Sequence, residues 1–218
     1  SPEIISTTMN KNDTNNLFDE VNNLKKKYQY TKIKKLSSSE LSTIIDTELY
    51  DGGCLDFGAG HLNPLKFVQG LGTAAKKNNV QIFEKCCVEK IDYGKKNTIS
   101  LSSGYTVISD YLIIACNGYL GNLEPNISSR VMPINNFILT TEVLGNNLLN
   151  SFLKNNYAVA DNKFVPNYFR PSPDNRLIFG GGENYTYRFP KDIKTIVRKK
   201  MLKVYPQLKN TRIDFAWG

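Results

Sequence analysis

Four groups of residues combine types and spacing that suit chemistry. The run Ala115-Cys116-Asn117-Gly118-Tyr119-Leu120-Gly121 follows an unbroken apolar stretch. Glycines at the C-terminal end of a buried strand let backbone amides approach a phosphate or nucleotide, and the same pattern also suits an ordinary turn at a strand end. Gly180-Gly181-Gly182-Glu183 follows Leu177-Ile178-Phe179 but lacks the Lys-Ser/Thr pair of a phosphate loop. It reads as a close backbone approach at a sheet end or as a ligand contact. His61, the single imidazole, sits between Gly60 and a helix start, placed to touch an anionic ligand, to move a proton or to serve the fold. In Asn167-Tyr168-Phe169-Arg170-Pro171, alternation along a strand puts Tyr168 and Arg170 on one face and Phe169 on the other. A hydroxyl beside a guanidinium would receive a carboxylate; a half-buried strand with a solvated arginine is the plainer alternative.

Other chemistries are excluded. Cys54, Cys86, Cys87 and Cys116 form no CxxC and, with a single histidine, have no spacing suited to tetrahedral zinc, so no metal is expected. Cys86 and Cys87 are adjacent in a predicted strand and point to opposite faces, which makes a disulfide between them strained; reduced thiols suit a cytoplasmic protein. The net charge is +8, but 22 Lys against 6 Arg, with 25 Asn, reads as nucleotide-composition bias. The lysines are dispersed, without the clustered arginines and aromatics of a nucleic-acid stripe. Hydrophobic residues make up 40%, and no window approaches the ~18 uninterrupted apolar residues of a spanning helix. With 11 Phe, 12 Tyr and 1 Trp, a wholly disordered chain is excluded too.

The elements that must position these residues follow from periodicity and caps. Residues 1–16 are polar and aperiodic and read as a loose leader. Leu17, Val21, Leu24 and Tyr28 fall at helical spacing. Ser37 with Glu40 three residues on predicts a helix start, and Asn63-Pro64 predicts another, with Leu65, Val68, Leu71 and Ala75 lining one face. Residues 50–60 read as strand and turn, 80–84 and 88–91 as strands, and 98–101 with 105–108 as a hairpin across Ser102-Ser103-Gly104. The run Tyr111–Cys116 reads as a strand buried on both faces. Residues 137–143, 157–160, 164–170 and 176–179 read as an antiparallel sheet, interrupted by a helix capped by Asp192 and stopped by Pro206.

Several blocks together carry a family resemblance. Gly58-Ala59-Gly60-His61-Leu62-Asn63-Pro64-Leu65-Lys66-Phe67, the segment from Ala115 to Pro125, Met132-Pro133-Ile134-Asn135-Asn136-Phe137, Phe179-Gly180-Gly181-Gly182-Glu183, and Tyr205-Pro206-Gln207-Leu208-Lys209 with Ala216-Trp217-Gly218 closely resemble the D-amino-acid-oxidase-like family of FAD-dependent amine oxidases. The resemblance spans about residues 17–218.

It implies an α/β plus α+β protein in which part of a βαβ FAD-binding domain is interleaved with an antiparallel-sheet substrate domain. On that pattern residues 1–35 are leader and helix, 36–59 substrate domain, 60–125 FAD domain, 126–204 substrate domain, and 205–218 a return to the FAD domain. Val88 matches a position whose backbone contacts the adenine. Ala115, Asn117 and Gly118 match the strand-end loop that passes the cofactor, and Tyr168 matches a substrate-domain tyrosine near the flavin. Tyr168, Arg170 and His61 are the candidate substrate-binding residues. The implied reaction is oxidation of a small-molecule primary amine, with electrons passed through FAD to O2 and release of H2O2, ammonia and an aldehyde. Alternatives are a flavin oxidase of glycine, sarcosine or another small amine, and an inactive or partner-binding fragment. The chain opens at Ser1-Pro2 without an initiator Met and stops within an apolar run at Ala216-Trp217-Gly218, which reads as a fragment. Neither a GxGxxG loop nor a ribose-binding acid after one occurs in these 218 residues.

The 218-residue chain alone is therefore expected to stay colourless and inactive after incubation with FAD and desalting. Flavin absorbance near stoichiometry, with oxidase activity, would contradict this.

Overall fold

The structure, a computed structural model, describes residues 2–185 and 188–218. In chain order the elements are β1 (Pro2–Thr8), α1 (Lys11–Tyr28), β2 (Ile33–Leu36), α2 (Ser38–Ser42), β3 (Gly52–Gly60), α3 (Pro64–Lys77), β4 (Val88–Asp92), β5 (Asn97–Leu101) and β6 (Thr106–Ser109). They continue with α4 (Pro125–Ser128), β7 (Asn135–Thr141), α5 (Asn146–Phe152), β8 (Ala158–Asp161), β9 (Tyr168–Pro171), β10 (Leu177–Asn184), α6 (Ile193–Val204) and β11 (Ile213–Trp217). The chain divides into two compact units, residues 1–62 with 135–218, and residues 63–134.

The larger unit is built on an eight-stranded sheet ordered β11-β7-β10-β9-β8-β1-β3-β2. All its pairings are antiparallel except β1 with β8, so the sheet is mixed. One in-register row, Ala216, Leu139, Phe179, Phe169, Val159, Ile5 and Leu55, crosses seven strands. Neighbours in register share a face, and this row, with the nearby Phe137 and Leu177, is the sheet's contribution to the core. Against it pack Val197, Met201 and Val204 of α6, followed by Tyr205, and Leu149 and Phe152 of α5. Phe169 stacks on Phe179 with ring centres 5.4 Å apart, and Tyr205 meets Phe169 edge-on at 5.3 Å. On the opposite face α1 covers one end of the sheet, where Val21 closes over Ile33 and Cys54. Among the described residues of this unit no helix covers the same face over β9, β10 and β7.

Helix starts are set by local chemistry. The Asn10 side chain accepts from the Asp13 N–H at 3.0 Å, Ser37 and Glu40 complete a capping box, and Asp192 accepts from the Thr195 N–H at 2.9 Å. Each satisfies backbone donors that the first helical turn leaves open.

The loose leader expected over residues 1–16 is instead β1 and the start of α1. β1 lies inside the sheet between β8 and β3, and its polar residues are satisfied there. The Thr8 and Thr14 hydroxyls lie 2.6 Å apart, and the Thr14 hydroxyl lies 2.6 Å from the Asp51 carboxylate. Local composition could not show this, because Thr8 also donates to the Gly52 carbonyl and Thr7 to the Ala160 carbonyl, partners 44 and 153 residues away along the chain. Residues 205–218 stay with the same sheet, where β11 pairs with β7.

The smaller unit holds the antiparallel meander β4-β5-β6 with α3 and α4. The predicted start of α3 is present: Pro64 occupies its first turn and Asn63 accepts from the Lys66 N–H at 3.1 Å. Yet α3 buries none of its residues, and Leu65, Phe67, Val68 and Leu71 are exposed. The buried strand expected at Tyr111–Cys116 is not formed, and Tyr111 and Ile113 are 91% and 87% exposed. An apolar run signals a demand for burial, but a strand exists only where a ladder partner meets it, and none does among the described residues. Residues 80–84 likewise lie outside any strand. Cys86 and Cys87 precede β4 rather than sharing a strand, and all four cysteines are free thiols.

Replacing Phe169 by Ala should destabilise the chain by about 3–5 kcal/mol, whereas Leu71→Ala on exposed α3 should change stability by under about 0.5 kcal/mol. Urea denaturation of both variants checks this, and equal costs would contradict the core assignment.

Candidate active-site face and cofactor-side residues

Burial of Phe169 in the core row turns its neighbours Tyr168 and Arg170 to the face left uncovered over β9, β10 and β7. Arg170 stands in register with Ile178, and Ile178 with Thr140; Tyr168 stands in register with Gly180, and Gly180 with Ile138. Two short rows therefore form a half-buried floor of Ile138, Ile178, Thr140, Tyr168 and Arg170.

The glycine run makes this floor possible. A Cβ on Gly180 would lie 2.1 Å from the Tyr168 ring, so the ring rests directly on the β10 backbone. At Gly181 a Cβ would approach the Asn167 side-chain oxygen to 2.9 Å. Gly182 has φ +94°, a conformation that favours glycine, and lies in a register shift between β10 and β7. The three glycines are explained by the chain's own packing. Sequence reasoning missed the residue this bulge brings in: Asn136 of β7, whose side-chain oxygen accepts the Tyr168 hydroxyl hydrogen. The Asn135-Asn136 pair opening a strand was the available signal, but nothing local linked it to Tyr168.

Burial raises the Tyr168 phenol pKa above its ordinary value, so the hydroxyl keeps its proton at neutral pH. Burial also lowers the pKa of Arg170, and among the described residues no carboxylate pairs with this guanidinium. By contrast Arg176 is held by Asp174 at 2.8 Å and Asp214 at 2.5 Å. The Thr140 hydroxyl on the same floor is buried with no hydrogen-bond partner among the described residues. His61 follows β3 and donates from Nε2 to the Asn156 carbonyl at 2.8 Å. Its pKa is lowered first by desolvation and further by the charge of Arg170, which outweigh the opposing hydrogen bond to Asn156. The structure thus brings His61 within electrostatic reach of Arg170.

Val88, Ala115, Asn117 and Gly118 belong to the other unit. Val88 opens β4, an edge strand with one backbone edge unpaired among the described residues, and lines an apolar cavity of about 720 Å³ with Phe83, Leu101 and Tyr105. Ala115 and Asn117 are exposed, and the nearest atom to a Cβ on Gly118 would be Pro133 Cβ at 3.8 Å. An open edge strand and an accessible glycine loop fit backbone contacts to the outer parts of a dinucleotide. A phosphate cradle of the GxGxxG kind is not among these residues.

The architecture is that of flavin-dependent oxidoreductases. Over 99% of its length the chain matches glycine oxidase from Geobacillus kaustophilus with a TM-score of 0.80 at 14% identity, covering 57% of that chain. It matches L-proline dehydrogenase from P. horikoshii at 0.75 and 16%, covering 99% of this chain and 59% of that one. The chain belongs to the FAD dependent oxidoreductase family (DAO), whose family model matches residues 5–218, and its cofactor class is FAD. Relatives include a probable oxidoreductase, OrdL, of Rhizobium meliloti (strain 1021), 38% identical over 193 residues, and the gamma-glutamylputrescine oxidoreductase of Escherichia coli (strain K12), 33% identical over 192 residues. Each alignment covers 88% of this chain but only 44% and 45% of the relatives, so the chain spans under half the length of the curated proteins it matches. Among the described residues no helix is long and apolar enough to cross a membrane.

Gly180→Ala should cost about 1–3 kcal/mol because the new methyl meets the Tyr168 ring. In a Tyr168→Ala background the same change should cost under about 0.5 kcal/mol, a coupling that a double-mutant cycle by urea denaturation measures. An equal cost in both backgrounds would contradict the packing described.

Proposed function

We propose that this chain forms part of a flavin-dependent amine oxidase whose substrate lies on the open face of the eight-stranded sheet. The observation that carries this reading is the half-buried Arg170 guanidinium, without a carboxylate partner among the described residues, beside Tyr168 on that face. A charge held partly out of water without a counter-ion is costly to maintain and is offset when an anionic or carbonyl group of a ligand arrives. In this reading Tyr168, Arg170 and His61 bind and orient the substrate, the large sheet is substrate domain, and residues 63–134 belong to the flavin-binding domain. The backbone at Val88 would contact the adenine, and the loop at Ala115, Asn117 and Gly118 would help hold the cofactor.

FAD, when bound, would supply the two-electron acceptor for oxidation of the amine-bearing carbon, with O2 as the final oxidant reduced to H2O2. Arg170 draws the electron-rich end of the substrate, Tyr168 holds its position on the floor, and the apolar Ile138 and Ile178 side chains exclude water from one side. The depressed pKa of His61 keeps its imidazole neutral at pH 7, so it adds no positive charge beside Arg170. Water then converts the oxidised amine to an aldehyde and ammonia.

The proposed substrate is γ-glutamylputrescine, placing the protein in putrescine catabolism. This finer reading is supported by the sequence blocks, several of which resemble the γ-glutamylputrescine oxidase subgroup, and by the 33% identity to the Escherichia coli relative.

Hydrogen peroxide release from the flavin-loaded full-length enzyme tests this with γ-glutamylputrescine, putrescine, glycine and sarcosine. The expected order has γ-glutamylputrescine highest in kcat/KM, with Arg170→Met raising its KM about tenfold, the size of losing one charge-assisted contact. Preferred turnover of glycine or sarcosine would move the assignment to a small-amino-acid oxidase, and no turnover of any amine would overturn the oxidase reading.

A further inference from the structure

Asn136 and Tyr168 belong to β7 and β9, which are not neighbours, since β10 lies between them. Strands two positions apart are separated by about 9.5 Å, too far for short side chains to meet unless one reaches across. The Tyr168 ring lies over Gly180, where any side chain would block it, and its hydroxyl donates to the Asn136 side-chain oxygen. The bulge around Gly182, with its register shift against β7, occurs at the same place. Two otherwise unfavourable features, a glycine inside a strand and a left-handed backbone position, coincide with one hydrogen bond on the open face.

A phenol has one hydrogen to donate and lone pairs with which to accept. Once the hydrogen is committed to Asn136, only the lone pairs of the Tyr168 oxygen remain for a ligand. Arg170, two residues along the same face, has donors only. The face is then polar in one direction, with an acceptor at Tyr168 and donors at Arg170.

We propose that Asn136 is a positioning residue that turns the Tyr168 hydroxyl into a hydrogen-bond acceptor, so that Tyr168 receives the N–H of an amine rather than donating to a carboxylate. The inference rests on the substrate-face reading above and deepens it by orienting the ligand: nitrogen at Tyr168, and the carbonyl or carboxylate end at Arg170. It reverses the expectation that the tyrosine and arginine jointly receive a carboxylate.

The test uses two simple probes, butylamine and butyrate, with binding read from the flavin absorbance of the loaded full-length enzyme. Asn136→Leu removes the acceptor and frees the phenol hydrogen. It should weaken butylamine about tenfold, equivalent to about 1.4 kcal/mol, while leaving butyrate unchanged or tighter. Asn136→Asp keeps an acceptor oxygen and should retain butylamine binding, which also covers the case in which the leucine variant does not fold. Tyr168→Phe should weaken butylamine as much as Asn136→Leu, with no further loss when the two are combined. If Tyr168→Phe weakens butylamine and Asn136→Leu does not, or if Asn136→Leu weakens both probes equally, the proposal falls while the substrate face stands. If neither Tyr168→Phe nor Arg170→Met changes the affinity of either probe, the substrate-face reading falls and takes the proposal with it.

Discussion

The placement of Phe169 is the constraint from which the candidate site follows. Its ring is buried against Phe179 and Tyr205, and because side chains alternate along a strand, that burial obliges Tyr168 and Arg170 to face the other way. A slip of one residue in β9 would bury the guanidinium and expose the phenyl ring. The aromatic core therefore specifies the chemistry of the open face as firmly as any polar contact on it. The same row continues through Val159 and Ile5 to Leu55 on one side and through Phe179 and Leu139 to Ala216 on the other, tying β9 to strands drawn from both ends of the chain.

The glycine run of β10 shows how one short motif serves several demands. Read alone, Gly180-Gly181-Gly182 suggests a backbone opened toward a ligand. In the folded chain each glycine is accounted for by an internal neighbour or a backbone angle: the Tyr168 ring, the Asn167 side chain, and the left-handed turn of the bulge. On the proposed substrate face the motif acts only indirectly, by letting a tyrosine lie flat and reach an asparagine across the intervening strand.

The smaller unit has a different physical character. Its meander is paired and its α3 correctly capped, yet among the described residues only Ile99 and Leu120 are buried hydrophobics in it. Leu65, Phe67, Val68 and Leu71 of α3, with Tyr111 and Ile113, are exposed, a cost of about 25 cal/mol for each Å² of apolar surface that burial would recover. Helix caps and hairpin turns form from local chemistry whether or not a core closes over them, and so α3 and the hairpin there were legible, while its burial and the absence of strands at 80–84 and 111–116 were not.

The sequence by itself determined the elements whose causes are local. These include the caps at Ser37, Asn63 and Asp192, the hairpin across Ser102-Ser103-Gly104, the one-face pairing of Tyr168 with Arg170, and the blocks that carry the family resemblance. Tertiary structure alone decided that the polar start of the chain is a strand inside the sheet, that Tyr111–Cys116 pairs with nothing among the described residues, and that Asn136 meets Tyr168 over Gly180. The physical reason is the range of the interactions. A cap is settled within four residues, whereas a strand, a bulge or a cross-strand hydrogen bond depends on partners tens of residues away, whose positions become defined only when the sheet has formed.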